Sequence, residues 1–340
     1  MSDPRMAAPT DAIAQRIEHR TERLHVSLGA VCNNNCIFCM EEDRDGRYIN
    51  NSAMTKERVE WMLEAHKGGE EVCFTSGEPT TRPELPDLVA RAKALGFDRI
   101  SVMTNGRRLS HFPYAAGLAK RGMNRFYVSI HGHDKKLHEG LTRTPDSFEQ
   151  TVAGLDSVAR LKPYGVELHT STVVTNRNLP YMLEIYRFLR SHGVDQVVFN
   201  VMQANGRADT YFEKIFPRYS EIADQFRRFI GAVGEAQPMA FLVDIPLCAT
   251  EGIPDFNRGY VERYRHFDLE SQVDLPIEGL VRRRADGAGT GLVLVTREDL
   301  DLAEREHRAE CAGCKYRPQC EGVWKNYLAR YGWDELDPVA

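Results

Sequence analysis

The chain has 340 residues, 42% of them hydrophobic and 27% charged, which is the balance of a globular protein rather than a disordered, fibrous or membrane one. Forty-four lysines and arginines against 49 acids leave a net charge of −5, without the concentrated basic surface that a phosphate-backbone binder needs, so no nucleic-acid partner is expected. The longest apolar runs are strand-sized and the N-terminal segment lacks an apolar core of signal-peptide length, so no membrane partner is expected and the location read from the sequence is cytoplasmic.

Residues 1–22 read as a short amphipathic extension, with Ile13 and Ile17 apolar among charges and the pattern continuing to Leu24. Short β-branched or aromatic runs then alternate with longer segments of helical period. The expected strands are Leu24 to Leu28, Val72 to Thr75, Ile100 to Thr104, Phe126 to Ile130, Val166 to Val174 and Gln196 to Val201. Between them Lys56 to Ala65, Leu85 to Leu95, Ala115 to Gly122, Ser147 to Leu161 and Tyr181 to His192 read as helices. Six β-α units of this kind require a parallel α/β sheet, as an open barrel or a doubly wound sheet, with the chemistry at the carboxyl ends of the strands.

The alternation covers residues 23–236 and then breaks down, so residues 237–340 read as a second region. Within it MAFLVDIPLC and GLVLV are strand-like, and Arg282 to Arg284 read as a solvated turn. Trp324, Tyr327, Leu328 and Tyr331 recur at helical spacing and are expected to pack against the rest of the molecule.

Eight cysteines without an export signal are not a disulfide framework, because the cytosol keeps thiols reduced. Six of them fall in two tight clusters. Cys32, Cys36 and Cys39 follow the first strand, and three soft thiolates on one loop can hold three irons of a 4Fe-4S cube and leave the fourth open. An incomplete zinc knuckle or a set of buried thiols is the alternative. Cys311, Cys314 and Cys320 form the second cluster, for which Cys248 is a plausible fourth ligand. Four thiolates complete either a closed 4Fe-4S site or a structural zinc site. Cys73, in an apolar run, reads as a buried small residue.

The C-x3-C-x2-C run with Phe38 before its last cysteine resembles the signature of the radical S-adenosylmethionine (SAM) superfamily. The resemblance covers roughly residues 24–206 and implies a partial (β/α)6 TIM-like barrel. It also implies that the open iron chelates SAM, which is reductively cleaved to methionine and a 5′-deoxyadenosyl radical that abstracts hydrogen from substrate. Ser76, Gly77, Glu78 and Pro79 look like the family's G-G-E-P turn, where the SAM ammonium is received. Ser76 replaces the first glycine, and a side chain there is less permissive of positive φ. By the same resemblance Asn105 and Ser129 lie where the ribose and carboxylate of SAM sit. Arg143 pairs with the carboxylate, an interaction that suits a guanidinium, and Val201 offers backbone to adenine.

The C-terminal cysteines resemble the SPASM and Twitch extensions of the superfamily, which carry auxiliary clusters. No further cysteine follows Cys320, so only one auxiliary cluster can be built, the Twitch-like case. Candidates to line the substrate pocket are His131, with His133 and His138 behind it, then Asn200 and the run Asn205, Gly206 and Arg207. The resulting expectation is an oxidoreductase that takes a hydrogen atom from a small metabolite or peptide, served by a flavodoxin- or ferredoxin-type reductant. Its auxiliary cluster passes electrons or holds substrate. Only about 22 residues precede the barrel, which disfavours a leader-binding domain, but a peptide maturase forming a cross-link stays open. A non-catalytic iron-sulfur or zinc protein is the other alternative.

Overall fold

The computed structural model describes residues 22–40, 54–203, 205–234, 240–253, 256, 271–273, 281–283, 292–294, 305–318 and 320–340. The expected helix over residues 1–22 lies outside them, apart from Glu22. The first two thirds of the chain run β1 (Glu22–Ser27), α1 (Lys56–Ala65), β2 (Glu71–Thr75), α2 (Leu85–Ala94), β3 (Arg99–Thr104), α3 (Phe112–Lys120), β4 (Arg125–Ser129), α4 (Lys135–Thr142), α5 (Ser147–Ala159), β5 (Glu167–Val174), α6 (Met182–Ser191) and β6 (Gln196–Val201). All six expected strands form, shifted by a residue or two at their ends. Two short helices, α7 (Arg207–Thr210) and α8 (Phe212–Ile215), lead into α9 (Tyr219–Val233).

Local chemistry starts and stops these elements. Thr55 accepts the Arg58 N–H to cap α1 at 3.3 Å, and Asp134 accepts the Leu137 N–H to cap α4 at 2.8 Å. Along β4, Phe126 and Val128 are fully buried while Tyr127 and Ser129 turn to the other face, the period of two that a strand imposes.

Four further strands extend or follow the sheet: β7 (Ala240–Val243), β8 (Ser271–Val273) and, separately, β9 (Val281–Arg283), which pairs antiparallel with β10 (Leu292–Leu294). The main sheet is parallel throughout, in the order β7-β6-β5-β4-β3-β2-β1-β8. Strand order that follows the chain, with right-handed crossovers, puts the helices on one face and lets the sheet curl toward a barrel. Its edge strands β7 and β8 are not paired with each other, so the barrel is open.

Two expectations from the C-terminal region meet the structure differently. The MAFLV run becomes β7 and continues the main sheet beside β6. Arg282 and Arg283, read as part of a solvated turn, stand instead in β9 opposite Val293 and Leu292, because the apolar run across from them offers a pairing strand. The chain ends with β11 (Arg305–Glu306), β12 (Val323–Trp324) and α10 (Lys325–Tyr331). As expected, the aromatic residues of this segment pack: Tyr327 is fully buried and its ring lies 3.9 Å from that of Tyr219. Among the described residues no helix is long and apolar enough to cross a membrane.

Candidate active site at the carboxyl ends of the strands

The loop carrying Cys32, Cys36 and Cys39 leaves β1 and is tied to four other parts of the barrel. The Glu78 N–H donates to Val31 O at 2.8 Å, joining it to the turn after β2. The Asn35 and Ile37 N–H groups donate to Thr142 O and Leu141 O at 3.1 and 2.9 Å, joining it to the end of α4. After β3, Asn105 Nδ2 donates to Asn33 Oδ1 at 2.6 Å and Arg107 Nη1 to Asn34 Oδ1 at 3.1 Å and to Asn33 O. After β6, the Arg207 guanidinium, 7% exposed, donates to Asn35 O (2.8 Å), Asn35 Oδ1 (2.6 Å) and Cys36 O (2.8 Å).

The three asparagines between Cys32 and Cys36, mere spacers in the sequence, are therefore the struts of the loop. Arg207, a substrate-pocket candidate, is instead its clamp. A backbone N–H from Asn34 also points at Cys32 Sγ, at 3.4 Å. Burial, then the neighbouring Cys32 and Cys39, push the Cys36 thiol up to about 12, with the Arg207 charge pulling the other way. Three thiols so close resist joint ionisation unless a cation is bound among them.

The turn after β2 is built to let this loop in. Ser76 and Gly77 both take left-handed φ, at 68° and 54°. Serine thus reproduces the glycine geometry at the cost of some backbone strain. A Cβ on Gly77 would sit 2.6 Å from Val31 O and 2.7 Å from Gly29 O, so only glycine fits. Glu78, 2% exposed, is a strut as well: Oε1 accepts from Thr104 Oγ1 (2.6 Å), Thr80 Oγ1 (2.5 Å) and Thr80 N (3.0 Å), and Oε2 from Asn105 N (2.6 Å).

The C-terminal cysteines form a second group. The short turn Leu247–Thr250 after β7 brings Cys248 to Cys311, Cys314 and Cys320; burial, then those three in the order Cys320, Cys314 and Cys311, push its thiol up to about 12. Backbone N–H groups of Gly322 and Val339 donate to Cys320 Sγ (3.4 Å) and Cys314 Sγ (3.3 Å). Amide-to-sulfur bonds of this kind suit thiolates that hold metal.

Residues 26–189 match the family model of the radical SAM superfamily. Those residues form a radical SAM domain. Domains of that family use a 4Fe-4S cluster and SAM. The chain is similar to a probable GTP 3′,8-cyclase of Sulfurisphaera tokodaii, 29% identical over 202 residues, covering 58% of this chain and 61% of the relative. A probable GTP 3′,8-cyclase of Saccharolobus islandicus is 30% identical over 178 residues, covering 52% and 55%. The chain thus spans little more than half the length of these curated relatives.

Among solved structures, Streptococcus suis SuiB bound to SAM shares the fold with a TM-score of 0.61 at 16% identity, over 97% of this chain and 79% of SuiB. Another, anSMEcpe with bound AdoMet and a peptide, gives 0.60 at 16%, over 94% and 93%.

Several of the residues expected at SAM have partners within the protein. Both carboxylate oxygens of Glu78 accept from protein donors. Asn105 Nδ2 donates to Asn33 Oδ1 at 2.6 Å and lies 3.9 Å from Cys32 Sγ, and its Oδ1 accepts the Arg107 N–H at 3.1 Å. Arg143 closes α4 with left-handed φ of 52° and is exposed, one residue beyond the carbonyl that anchors Asn35. The Val201 side chain is fully buried in the core, which leaves only its backbone for a ligand.

His131, a catalytic candidate, is 4% exposed and packs edge-on against Phe38, ring centroids 4.6 Å apart. Its Nδ1 accepts the Val173 N–H at 3.2 Å, and burial, then the nearby His138, hold its pKa well below the usual histidine range. It is a buried ring packed under Phe38 of the cysteine loop. His138, which accepts the His131 N–H at 3.2 Å, is held down to about 4 by burial and then by Arg107.

The sign of the consequence follows. Between about pH 4 and 6.5 the unfolded chain binds a proton at His138 that the folded chain refuses, so stability is full above that window and falls as pH drops into it. Unfolding free energy is expected to decrease by about 1.3 kcal/mol between pH 7.5 and 5.5 from this residue. Denaturant titrations of wild type and His138→Gln at both pH values check this; an equal pH slope in the two proteins contradicts it.

The face of the sheet away from the helices carries half-buried Thr75, Met103, Ser129, Ser171, Val173 and Asn200 toward the carboxyl ends of β2 to β6. Ser129 stands opposite Ser171, and Asn200 between Val173 and Val243. Beneath them lies a buried polar floor, in which Ser101 Oγ donates to Glu71 Oε1 (2.7 Å) and Arg125 bridges Glu71 (3.2 Å) and Glu167 (2.7 Å). Of the two catalytic candidates, Asn200 stands half-buried on this face and His131 is buried against Phe38.

Proposed function

We propose that this chain is a radical SAM enzyme that abstracts a hydrogen atom from a small-molecule or peptide substrate held on the inner face of the barrel. Cys32, Cys36 and Cys39 would hold the catalytic 4Fe-4S cluster, residues 23–236 would form the catalytic barrel, and residues 237–340 would carry an auxiliary 4Fe-4S cluster on Cys248, Cys311, Cys314 and Cys320. When bound and reduced, the catalytic cluster supplies the electron that cleaves SAM to methionine and a 5′-deoxyadenosyl radical. The protein's part is to clamp the cysteine loop through Arg207, Asn105 and Glu78, to shield the site with Phe38 and His131, and to present Ser129, Ser171 and Asn200 to substrate.

The observation that carries this reading is the two separate groups of thiols, three on the loop after β1 and four in the C-terminal region, each with backbone N–H donors aimed at its sulfurs. The neutral, hydrogen-bonding inner rim supports a substrate met through hydroxyl or amide groups, as a peptide offers. The cyclase relatives keep a nucleotide as the second reading.

Anaerobic reconstitution tests the assignment. Wild type is expected to bind ~8 irons per chain and the Cys311/Cys314/Cys320 triple alanine variant ~4, both proteins forming 5′-deoxyadenosine from SAM with a low-potential reductant. Loss of all iron in the triple variant would sink the two-site assignment, and stimulation of 5′-deoxyadenosine formation by GTP but not by peptides would select the nucleotide reading.

A further inference from the structure

The clamp on the cysteine loop stands on a piece of structure too short to hold its own shape. Arg207 opens α7, a single turn of helix, and α8, another single turn, follows it directly. Fixing one turn costs more backbone freedom than its few hydrogen bonds return, so what packs against α7 decides where it sits. On one side it meets the loop: the Arg207 N–H donates to Cys39 O at 2.9 Å, and a Cβ on Gly206 would lie 2.6 Å from Met40 O. On the other side it meets α10 of the C-terminal region.

Arg330, on α10, reaches both short helices. Its Nη2 lies 2.8 Å from Asp209 Oδ1 on α7 and its Nε 3.7 Å from Glu213 Oε1 on α8. Its guanidinium sits 4.5 Å over the ring of Phe212, which is buried in the core. Its Nη1 donates to Asn326 O at 3.0 Å, so the group is anchored to its own helix as well. Asp209 Oδ1 is buried without a hydrogen bond of good geometry, and among the described residues Arg330 is its ion-pair partner. Tyr331, next along α10, lies 5.4 Å from the Phe212 ring and donates to Phe216 O at 3.1 Å. Gly322, whose N–H reaches Cys320 Sγ, leads through β12 into α10, so this brace is continuous with the C-terminal thiol group.

We propose that Arg330 is a positioning residue for the catalytic cluster: it braces α7 and α8 from the C-terminal region and so sets where Arg207 holds the cysteine loop. The proposal rests on the reading that Cys32, Cys36 and Cys39 carry that cluster. The effect of Arg330 on those thiols passes through Arg207. Arg330→Ala removes an ion pair of modest strength and a cation–π contact, and the N-terminal cluster is expected to be held about fivefold less tightly.

The test is a chelator titration of the anaerobically reconstituted full chain, read by electron paramagnetic resonance, in which the N-terminal cluster gives the signal that SAM alters. Arg330→Ala is expected to lose that signal at lower chelator than wild type while iron at the C-terminal site is retained. Asp209→Asn removes the partner charge from the α7 side at unchanged size and is expected to shift retention in the same direction. Arg218→Ala is the control, because it takes away a guanidinium that sits 4.5 Å over the Tyr331 ring of the same helix but pairs with Glu335 rather than with α7. The double variant decides between positioning and plain stability. If the brace works through the clamp, Arg330→Ala costs nothing further once Arg207→Ala has removed the clamp, whereas an independent contribution adds in full. Additive losses, wild-type retention in Arg330→Ala or Asp209→Asn, or an equal loss in Arg218→Ala overturn the proposal. A wild-type protein with no signal that SAM alters overturns the cluster reading itself, which tells the two failures apart.

Discussion

Replacing Gly77 with alanine is expected to empty the N-terminal cysteine site. The added Cβ would meet Val31 O at 2.6 Å, Gly29 O at 2.7 Å and Ala30 C at 2.9 Å, all backbone atoms of the chain that leads into Cys32. No side chain can swing aside to relieve the clash. Left-handed φ costs a non-glycine residue roughly 1–2 kcal/mol and overpacking roughly 1–3 kcal/mol more, so the local loss is about 2–5 kcal/mol. The cheapest relief is to push the cysteine loop outward, which breaks the Glu78-to-Val31 bond and spreads the thiols. Iron should fall from ~8 to ~4 per chain and 5′-deoxyadenosine formation should vanish, with the C-terminal cluster intact. Gly165 is the matched control, since it also has positive φ, at 82°, but nothing lies within 4 Å of its Cβ position. Equal iron and equal SAM cleavage in Gly77→Ala and Gly165→Ala would refute the close-approach account.

Arg207→Ala should be nearly as damaging by a different route. It takes the Arg207 donor from Asn35 O and Asn35 Oδ1, leaves Cys36 O only the Cys39 N–H at 3.3 Å, and withdraws a positive charge from beside the middle thiol. Hydrogen bonds to a charged group contribute about 1.5–3 kcal/mol each, and losing the partner of a metal ligand typically weakens metal binding 10–100-fold. Apparent affinity for the N-terminal cluster, read from iron retention under a chelator titration, is expected to drop by about that factor. Arg207→Lys should rescue little, because one ammonium cannot span the acceptors that the planar fork reaches together. Full retention in Arg207→Lys would show that charge alone matters.

The strands and helices of the barrel could be read from period and punctuation because each is a local pattern, as in Val72 and Phe74 against Cys73 and Thr75. The cysteine spacing and the Ser76-Gly77-Glu78 turn were legible for the same reason. What the sequence hid is the set of bonds between distant segments. Asn33, Asn34 and Asn35 looked like filler because their partners, Asn105, Arg107, Thr142 and Arg207, arrive from three later units. Glu78 and Asn105 were read as ligand contacts because a polar residue at a strand end carries no mark of which way it faces; here the Glu78 carboxylate meets the Asn105 backbone N–H and the Asn105 side chain meets Asn33. His131 likewise announced a titratable group, and nothing in the sequence marked its burial against Phe38. The strand at Arg282 and Arg283 was missed because a basic run signals solvent, while its partner, Leu292 to Leu294, lies across a connection of its own.

The clamp on the cysteine loop also sets an order of events during synthesis. Asn35 and Arg207 are 172 residues apart, and a ribosome adding about 5–20 residues per second needs on the order of ten to thirty seconds to travel that distance. For most of that interval Cys32, Cys36 and Cys39 are outside the tunnel while the sixth barrel unit that fixes them does not yet exist. Iron delivered to the nascent chain would meet loose thiols open to oxidation or to the wrong metal, so productive cluster insertion belongs after the barrel is complete.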